Sequence, residues 1–306
     1  MTKVAIDASA IHVVTDEDAR RIVSESLGRD GDWSSELMKY RMTSSWQDDW
    51  VVEVGNWLAR ARTLGFEDHV LRPINGQRSA DGSRDASDPV HRNVTQRLFH
   101  AMVAHYFAGI GWRFIASEPN HSLLRRDGTP ADIDLQFEAP DGTHVDFQVK
   151  ASGTLGVHEH VVDARILESV AHAADQLPDP APGPSIIVVG GQRGWPLSGD
   201  IDVLEELIGP TAQYPDGTLL LHENEFGSLA QWDHVSTVIA LDYRRGLSDF
   251  DYGCTVLLNP WAYQRSEPSW FPHSRVLECC DNVFRWHRGH PESSTFRGAC
   301  IAPPRI

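Results

Sequence analysis

Four side chains in this sequence are spaced so that two neighbouring strands would bring them together. Asp132 and Asp134 lie in Asp132-Ile133-Asp134-Leu135, and Gln148 and Lys150 lie in Asp146-Phe147-Gln148-Val149-Lys150. Side chains at i and i+2 share one face of a strand. Asp132 and Asp134 are therefore expected to point one way from their strand, and Gln148 and Lys150 to share a face of the next. Carboxylates and an amide carbonyl are hard oxygen ligands suited to Mg²⁺ or Mn²⁺. Such an ion makes hydroxide from water and stabilises charge developing on a phosphate. A lysine beside it can orient the water or hold a phosphate oxygen. The lysine is itself unusual: of 27 Lys plus Arg only Lys3, Lys39 and Lys150 are Lys. A compact ammonium in an apolar strand pattern does different work from a guanidinium fork.

The elements needed to position these residues are legible around them. Asp88-Pro89 reads as a helix cap followed by proline at the first helical position. From there Val94, Leu98, Met102 and Tyr106 form an apolar stripe that ends at Gly109 or Gly111. A strand is expected over 112–116, then two more near 131–137 and 144–151, joined by the hairpin signal Pro140-Asp141-Gly142. A helix opened by Asp163 carries Ile166, Leu167, Val170, Ala174 and Leu177 inward, and Ser185 to Val189 reads as a buried strand. Helix, three strands, helix, strand is the order of an α/β core with mixed pairing. Upstream, 15–27 and a Trp-rich stripe from Trp46 to Leu64 predict helices. The expected organisation is a helical N-terminal region over 1–73, a linker or loop over 74–88, an α/β domain over 89–262, and a tail over 263–306 with no assignable structure.

Length and composition bound the class. The 306 residues suffice for a full core, and 41% hydrophobic with 23% charged is a globular balance. The net charge of -16 argues against wrapping nucleic acid over the whole surface while leaving room for a local basic groove. Residues 89–177 hold seven Lys or Arg against eleven Asp or Glu. Cys254, Cys279, Cys280 and Cys300 have no C-x-x-C spacing, which suggests reduced thiols and a cytoplasmic location. No apolar run reaches the length of a membrane helix.

The set Pro130-Ala131-Asp132-Ile133-Asp134-Leu135 with Asp146-Phe147-Gln148-Val149-Lys150, in this order of elements, resembles the PD-(D/E)xK, or restriction-endonuclease-like, nucleases. The resemblance covers roughly residues 89–190. It implies a mixed sheet flanked by helices and Mg²⁺- or Mn²⁺-dependent hydrolysis of DNA phosphodiester bonds, in restriction, repair or defence, with RNA also compatible. By that resemblance Asp134 is the central metal ligand, Gln148 stands at the acidic position of the motif, and Lys150 is the catalytic lysine. Asp132 is a second candidate ligand. His100 or Gln96 stands on the first helix where many relatives place a glutamate. Arg97, Arg125 and Arg126 are candidate phosphate contacts. Two departures stand out: Gln148 brings no charge, and residues 89–111 contain no glutamate. They keep open a degenerate module that binds nucleic acid or a protein partner without cutting. A homodimer would suit an enzyme that cuts both strands.

His158-Glu159-His160 has alternating spacing but no further His or Cys at metal spacing, so surface histidines are the expectation. Gly190-Gly191-Gln192-Arg193-Gly194 follows a strand but lacks the spacing of a phosphate-binding fingerprint.

Overall fold

A computed structural model describes residues 5–27, 47–71, 89–119, 122–151, 159–191, 201–215, 218–222, 225–245, 250–280 and 283–288. The predicted linker at 74–88 lies outside these residues, as does His158.

The helices are α1 (Asp16–Leu27), α2 (Gln47–Thr63), α3 (Glu67–Val70), α4 (Pro89–Gly109), α5 (Glu159–Gln176) and α6 (Ile201–Ile208). The strands are β1 (Ala5–Asp7), β2 (Arg113–Ser117), β3 (Leu135–Glu138), β4 (His144–Ala151), β5 (Ser185–Gly191), β6 (Thr211–Gln213), β7 (Leu219–Leu221), β8 (Thr237–Arg245), β9 (Phe250–Leu258), β10 (Arg275–Cys280) and β11 (Val283–Arg288). They form one mixed sheet in the order β2-β3-β4-β5-β8-β9-β10-β11-β7-β6, with β1 added along β9. At its centre β4, β5 and β8 run parallel, while β2, β3 and β4 form an antiparallel meander at one edge.

Each face of the sheet buries its own apolar cluster. On one face Val145, Phe147, Val149, Ile186 and Val188 pack with Trp57, Leu58, Leu98, Met102 and Phe107 from α2 and α4. On the other, Ile187, Val189, Val238 and Ala240 pack with Ile166, Val170, Ala173 and Leu207 from α5 and α6. The strands in the middle are apolar on both sides, as parallel strands covered by helices must be. The N-terminal helices share the first cluster with the sheet, and β1 is hydrogen-bonded to β9.

Local chemistry explains the element ends. The Thr15 hydroxyl accepts the Asp18 amide at 3.2 Å and opens α1. The β3–β4 turn holds Gly142 at φ 90°, a left-handed conformation that glycine adopts without a Cβ penalty. Behind the turn, the rings of Phe137 and Phe147 lie 4.9 Å apart and Phe107 closes on Phe147 at 5.0 Å. Aromatic pairs of this kind add ~0.5–1.5 kcal/mol beyond their area burial. This packing fixes β3 and β4 from the α4 side and so fixes what their other side chains face.

Two elements begin elsewhere than the sequence pattern predicts. The strand expected over 131–137 begins only at Leu135, so Asp132 and Asp134 precede it. The helix expected to open at Asp163 starts at Glu159. Within 263–306, where no structure could be assigned from the sequence, β10 and β11 form, and Trp270 and Phe271 join the first apolar cluster. Their sequence lacks the clean alternation that marks a strand with one wet face, because Leu277 and Val276 enter opposite clusters.

Candidate functional site

At the point where β3 and β4 separate, the ladder ends on a side chain. The Asp134 amide donates to the Phe147 carbonyl at 3.0 Å, the last bond of the pair. The next amide of β4, Val149, donates instead to the Asp134 carboxylate at 2.7 Å. The aspartate thus takes the place of a backbone acceptor, and the chain before it peels away from β4. Asp132 and Asp134 do not share a strand face as expected; Asp134 is held at the gap by β4, and Asp132 by α5.

Gln148 and Lys150 do share a face of β4, the one covered by α5. Gln148 is fully buried. Its amide nitrogen donates to Gln176 Oε1 at 3.0 Å, and Gln176 Nε2 donates in turn to Asp132 at 3.1 Å. The Asp132 amide also donates to the Gln176 carbonyl at 2.8 Å. Gln176, at the last turn of α5, therefore ties Asp132 to Gln148. The Gln148 carbonyl oxygen is left buried with no hydrogen-bond donor among the described residues. An orphaned buried acceptor costs ~1–3 kcal/mol, and a native structure keeps one for a reason.

Electrostatics tie Asp132, Asp134 and Lys150 together, and Gln148 joins them through Gln176. Burial pushes the Asp134 carboxyl up to about 6, with Asp132 and Glu118 adding to the rise and Lys150 and the Val149 amide opposing it. Burial holds the Lys150 ammonium below its ordinary value, against the pull of Asp134 and Asp132, and the charge of Arg125 pushes the same way as burial. Asp132, Asp134, Gln148 and Lys150 thus form one local group, as their spacing in the sequence suggested.

On the opposite face, α4 supplies the two helper candidates. Gln96 spends its side chain on β4: its oxygen accepts the Ala151 amide at 2.8 Å, and its nitrogen donates to the Val149 carbonyl and to His100 Nε2. With both ends occupied, Gln96 is a clamp on the strand and not a free ligand. His100 Nε2 stands 3.8 Å from Asp134, and burial pushes this histidine down to about 3, so it is neutral near pH 7. Its Nδ1 faces His69 Nε2 at 3.4 Å, and His69 Nδ1 faces Glu118 at 3.5 Å. A file of Gln96, His100, His69 and Glu118 therefore runs from β4 to a half-exposed carboxylate.

The arginines divide. Arg125 is half-buried and close enough to Lys150 to shift it. Arg97 is half-buried on α4 near His100. Arg126, exposed to solvent, is paired with Asp179 at 2.6 Å and Asp233 at 3.5 Å. Asp146 is occupied by the Gln136 amide at 2.8 Å.

Sequence reasoning missed three contributors: Gln176, Glu118 and His69. Gln176 comes from a helix packed across the sheet, and no local pattern announces it. Glu118 sits before Pro119 at φ 43° with its amide on the Asp134 carbonyl at 2.9 Å. A left-handed non-glycine residue is an unusual conformation that the surrounding fold must impose.

No family model, no curated protein and no solved structure matches this chain. The chain is a mixed α/β protein with helices on both faces of its sheet, and among the described residues no helix is long and apolar enough to cross a membrane.

Proposed function

We propose that this protein is a metal-dependent nuclease that hydrolyses DNA phosphodiester bonds at the end of β3 and β4. The observation that carries the reading is the Gln148 carbonyl oxygen, fully buried and without a donor among the described residues, in a group with Asp132, Asp134 and Lys150. Its donor set fits a hard cation. Two carboxylates and an amide carbonyl are oxygen ligands of the kind a hard cation takes. Asp134 and Gln148 would hold Mg²⁺ or Mn²⁺, with Asp132 as a further ligand. The bound ion would supply activated water and stabilise charge on the phosphate.

The chain's own residues then have distinct parts. The Val149 amide and the buried surroundings fix the Asp134 carboxylate in one orientation. Gln176 holds the nitrogen of Gln148, which leaves only the carbonyl oxygen of that side chain open. Gln96 clamps the β4 backbone that carries both Gln148 and Lys150. Burial disfavours the charged form of Lys150 while Asp134 and Asp132 favour it, and an ammonium kept by those carboxylates would hold a phosphate oxygen or orient water. Arg125 and Lys150 would supply cations for phosphate oxygens at one place on an acidic chain, so DNA would be held locally and not wrapped. The proposal includes a homodimer or partner protein for cutting both strands, and a cytoplasmic setting.

The deciding experiment compares wild type, Asp134→Asn and Lys150→Ala on plasmid, linear and single-stranded DNA with Mg²⁺ or Mn²⁺. Cutting by wild type alone supports the reading. Equal cutting by all three places the chemistry elsewhere. If folded wild type binds DNA without cutting any substrate, the fold is a binding module, as the neutral Gln148 would favour, and the enzyme reading falls.

A further inference from the structure

Outside that centre, a second group of potential ligands stands where the loop after α5 meets the loop before β8. One ligand atom each from Asp179, Asp233 and His234 lies within 4.8 Å of the others. A pair of acids beside a histidine is common on protein surfaces. What sets this group apart is the state of His234.

His234 is only 4% exposed. Its Nε2 is 2.9 Å from the Ala174 carbonyl oxygen. A carbonyl can only accept, so Nε2 carries the hydrogen and donates. In the neutral ring Nδ1 then presents a lone pair. That Nδ1 is buried, has no hydrogen-bond partner among the described residues, and faces Asp179 Oδ2 at 3.9 Å. The distance is too long for a hydrogen bond, and an ionised carboxylate has no hydrogen to give. A lone pair aimed at a carboxylate is repulsive unless a proton or a metal cation lies between them.

We infer that Asp179, Asp233 and His234 form a binding site for Zn²⁺. Imidazole nitrogen with two carboxylate oxygens is a donor set that zinc accepts, with water completing four-coordination. The supporting shell is already built. Metal-bound histidines characteristically donate their other N–H to a backbone carbonyl, as His234 does to Ala174. Ligating carboxylates are themselves hydrogen-bonded, as Asp179 is by the Tyr263 hydroxyl at 3.3 Å. That hydroxyl is fixed in turn by the Ala181 amide at 2.7 Å.

Arg126 competes for the same carboxylates from the solvent side. Its guanidinium meets Asp179 at 2.6 Å and Asp233 at 3.5 Å, and its side chain is 63% exposed. It offers no hydrogen bond to His234 Nδ1. Zinc would draw the half-buried Asp233 inward and displace Arg126 into water. The ion would staple the C-terminal end of α5 to the start of β8, at the base of the same helix whose Gln176 supports the candidate centre. The proposal does not depend on nuclease activity.

The test uses metal-free full-length protein carrying Asp134→Asn, so that the other centre cannot account for binding. Zn²⁺ is titrated by calorimetry and Co²⁺ by visible absorption. One equivalent should bind, with a cobalt spectrum lacking thiolate charge-transfer bands. Adding Asp233→Asn should weaken zinc ~10-fold or more. Adding Arg126→Gln should tighten it several-fold, because a competing cation is gone. That gain is the readout a purely structural ion-pair cluster would not give. No saturable binding in any folded variant overturns the site. So does binding unchanged by both substitutions, or a thiolate band that places the ion on a cysteine.

Discussion

Replacing Asp134 by Asn should make the metal-free protein more stable at neutral pH, although it removes the residue on which the proposed chemistry depends. Burial raises the carboxyl from an ordinary 3.8 to about 6. Because the folded-state value is raised, the protonated acid favours folding, and this contribution is complete below 3.8. As pH rises toward 6 the unfolded chain releases its proton first, so stability is lost through this window. Above it the folded state carries a cost of ~3 kcal/mol for holding the ionised group. An asparagine at this position can still accept the Val149 amide but never ionises. Urea unfolding in EDTA at fixed pH values from 3.5 to 8 measures the difference. The Asn variant and wild type should be nearly equal at the acidic end and separate by up to ~3 kcal/mol at pH 8, with similar dependence on urea. His100 contributes the opposite trend in both proteins, since its depressed value, about 3, means stability lost as pH falls below its ordinary 6.5. It therefore largely cancels in the comparison. An Asn variant less stable than wild type at pH 8, or a difference that does not vary with pH, would refute the reasoning. With Mn²⁺ added, wild type should regain stability and the variant should not.

Two further substitutions probe the neighbours. Gln148→Glu places a carboxylate at a fully buried position, so it should destabilise the metal-free protein by ~2–4 kcal/mol in urea unfolding at pH 8, while Mn²⁺ should raise its midpoint more than it raises that of wild type. Gln96→Ala strips the clamp from the Val149 carbonyl and the Ala151 amide, and should cost ~1–3 kcal/mol with a corresponding loss of amide-exchange protection at Ala151.

Gln148 and Lys150 were legible because a strand has a period of two and their apolar neighbours Phe147 and Val149 enter the opposite core. The helix α4 was legible because its stripe from Val94 to Tyr106 repeats at helical spacing, and the hairpin because Gly142 punctuates it. Asp132 and Asp134 were recognised as candidates, but their placement was not, since alternation cannot say where two strands part. That point is set by the Asp134 carboxylate capturing an amide of β4. The role of Gln96 was also hidden: a polar residue on an apolar helix looks like a ligand until the strand it clamps is in view.

By itself, then, the sequence determined the periodic elements, the alternating core of the central strands and the proximity of the Asp and Gln-Lys segments, because these depend on spacing along one chain. Only the tertiary structure decided that Gln176 from α5 would hold Gln148, that Glu118 and His69 would approach His100, and that Arg126 would turn to Asp179 and Asp233. It alone also brought the tail into the sheet as β10 and β11. These contacts join residues tens to more than a hundred positions apart. They exist because packing two helical layers against one sheet fixes which distant polar groups meet, and no local propensity encodes that meeting.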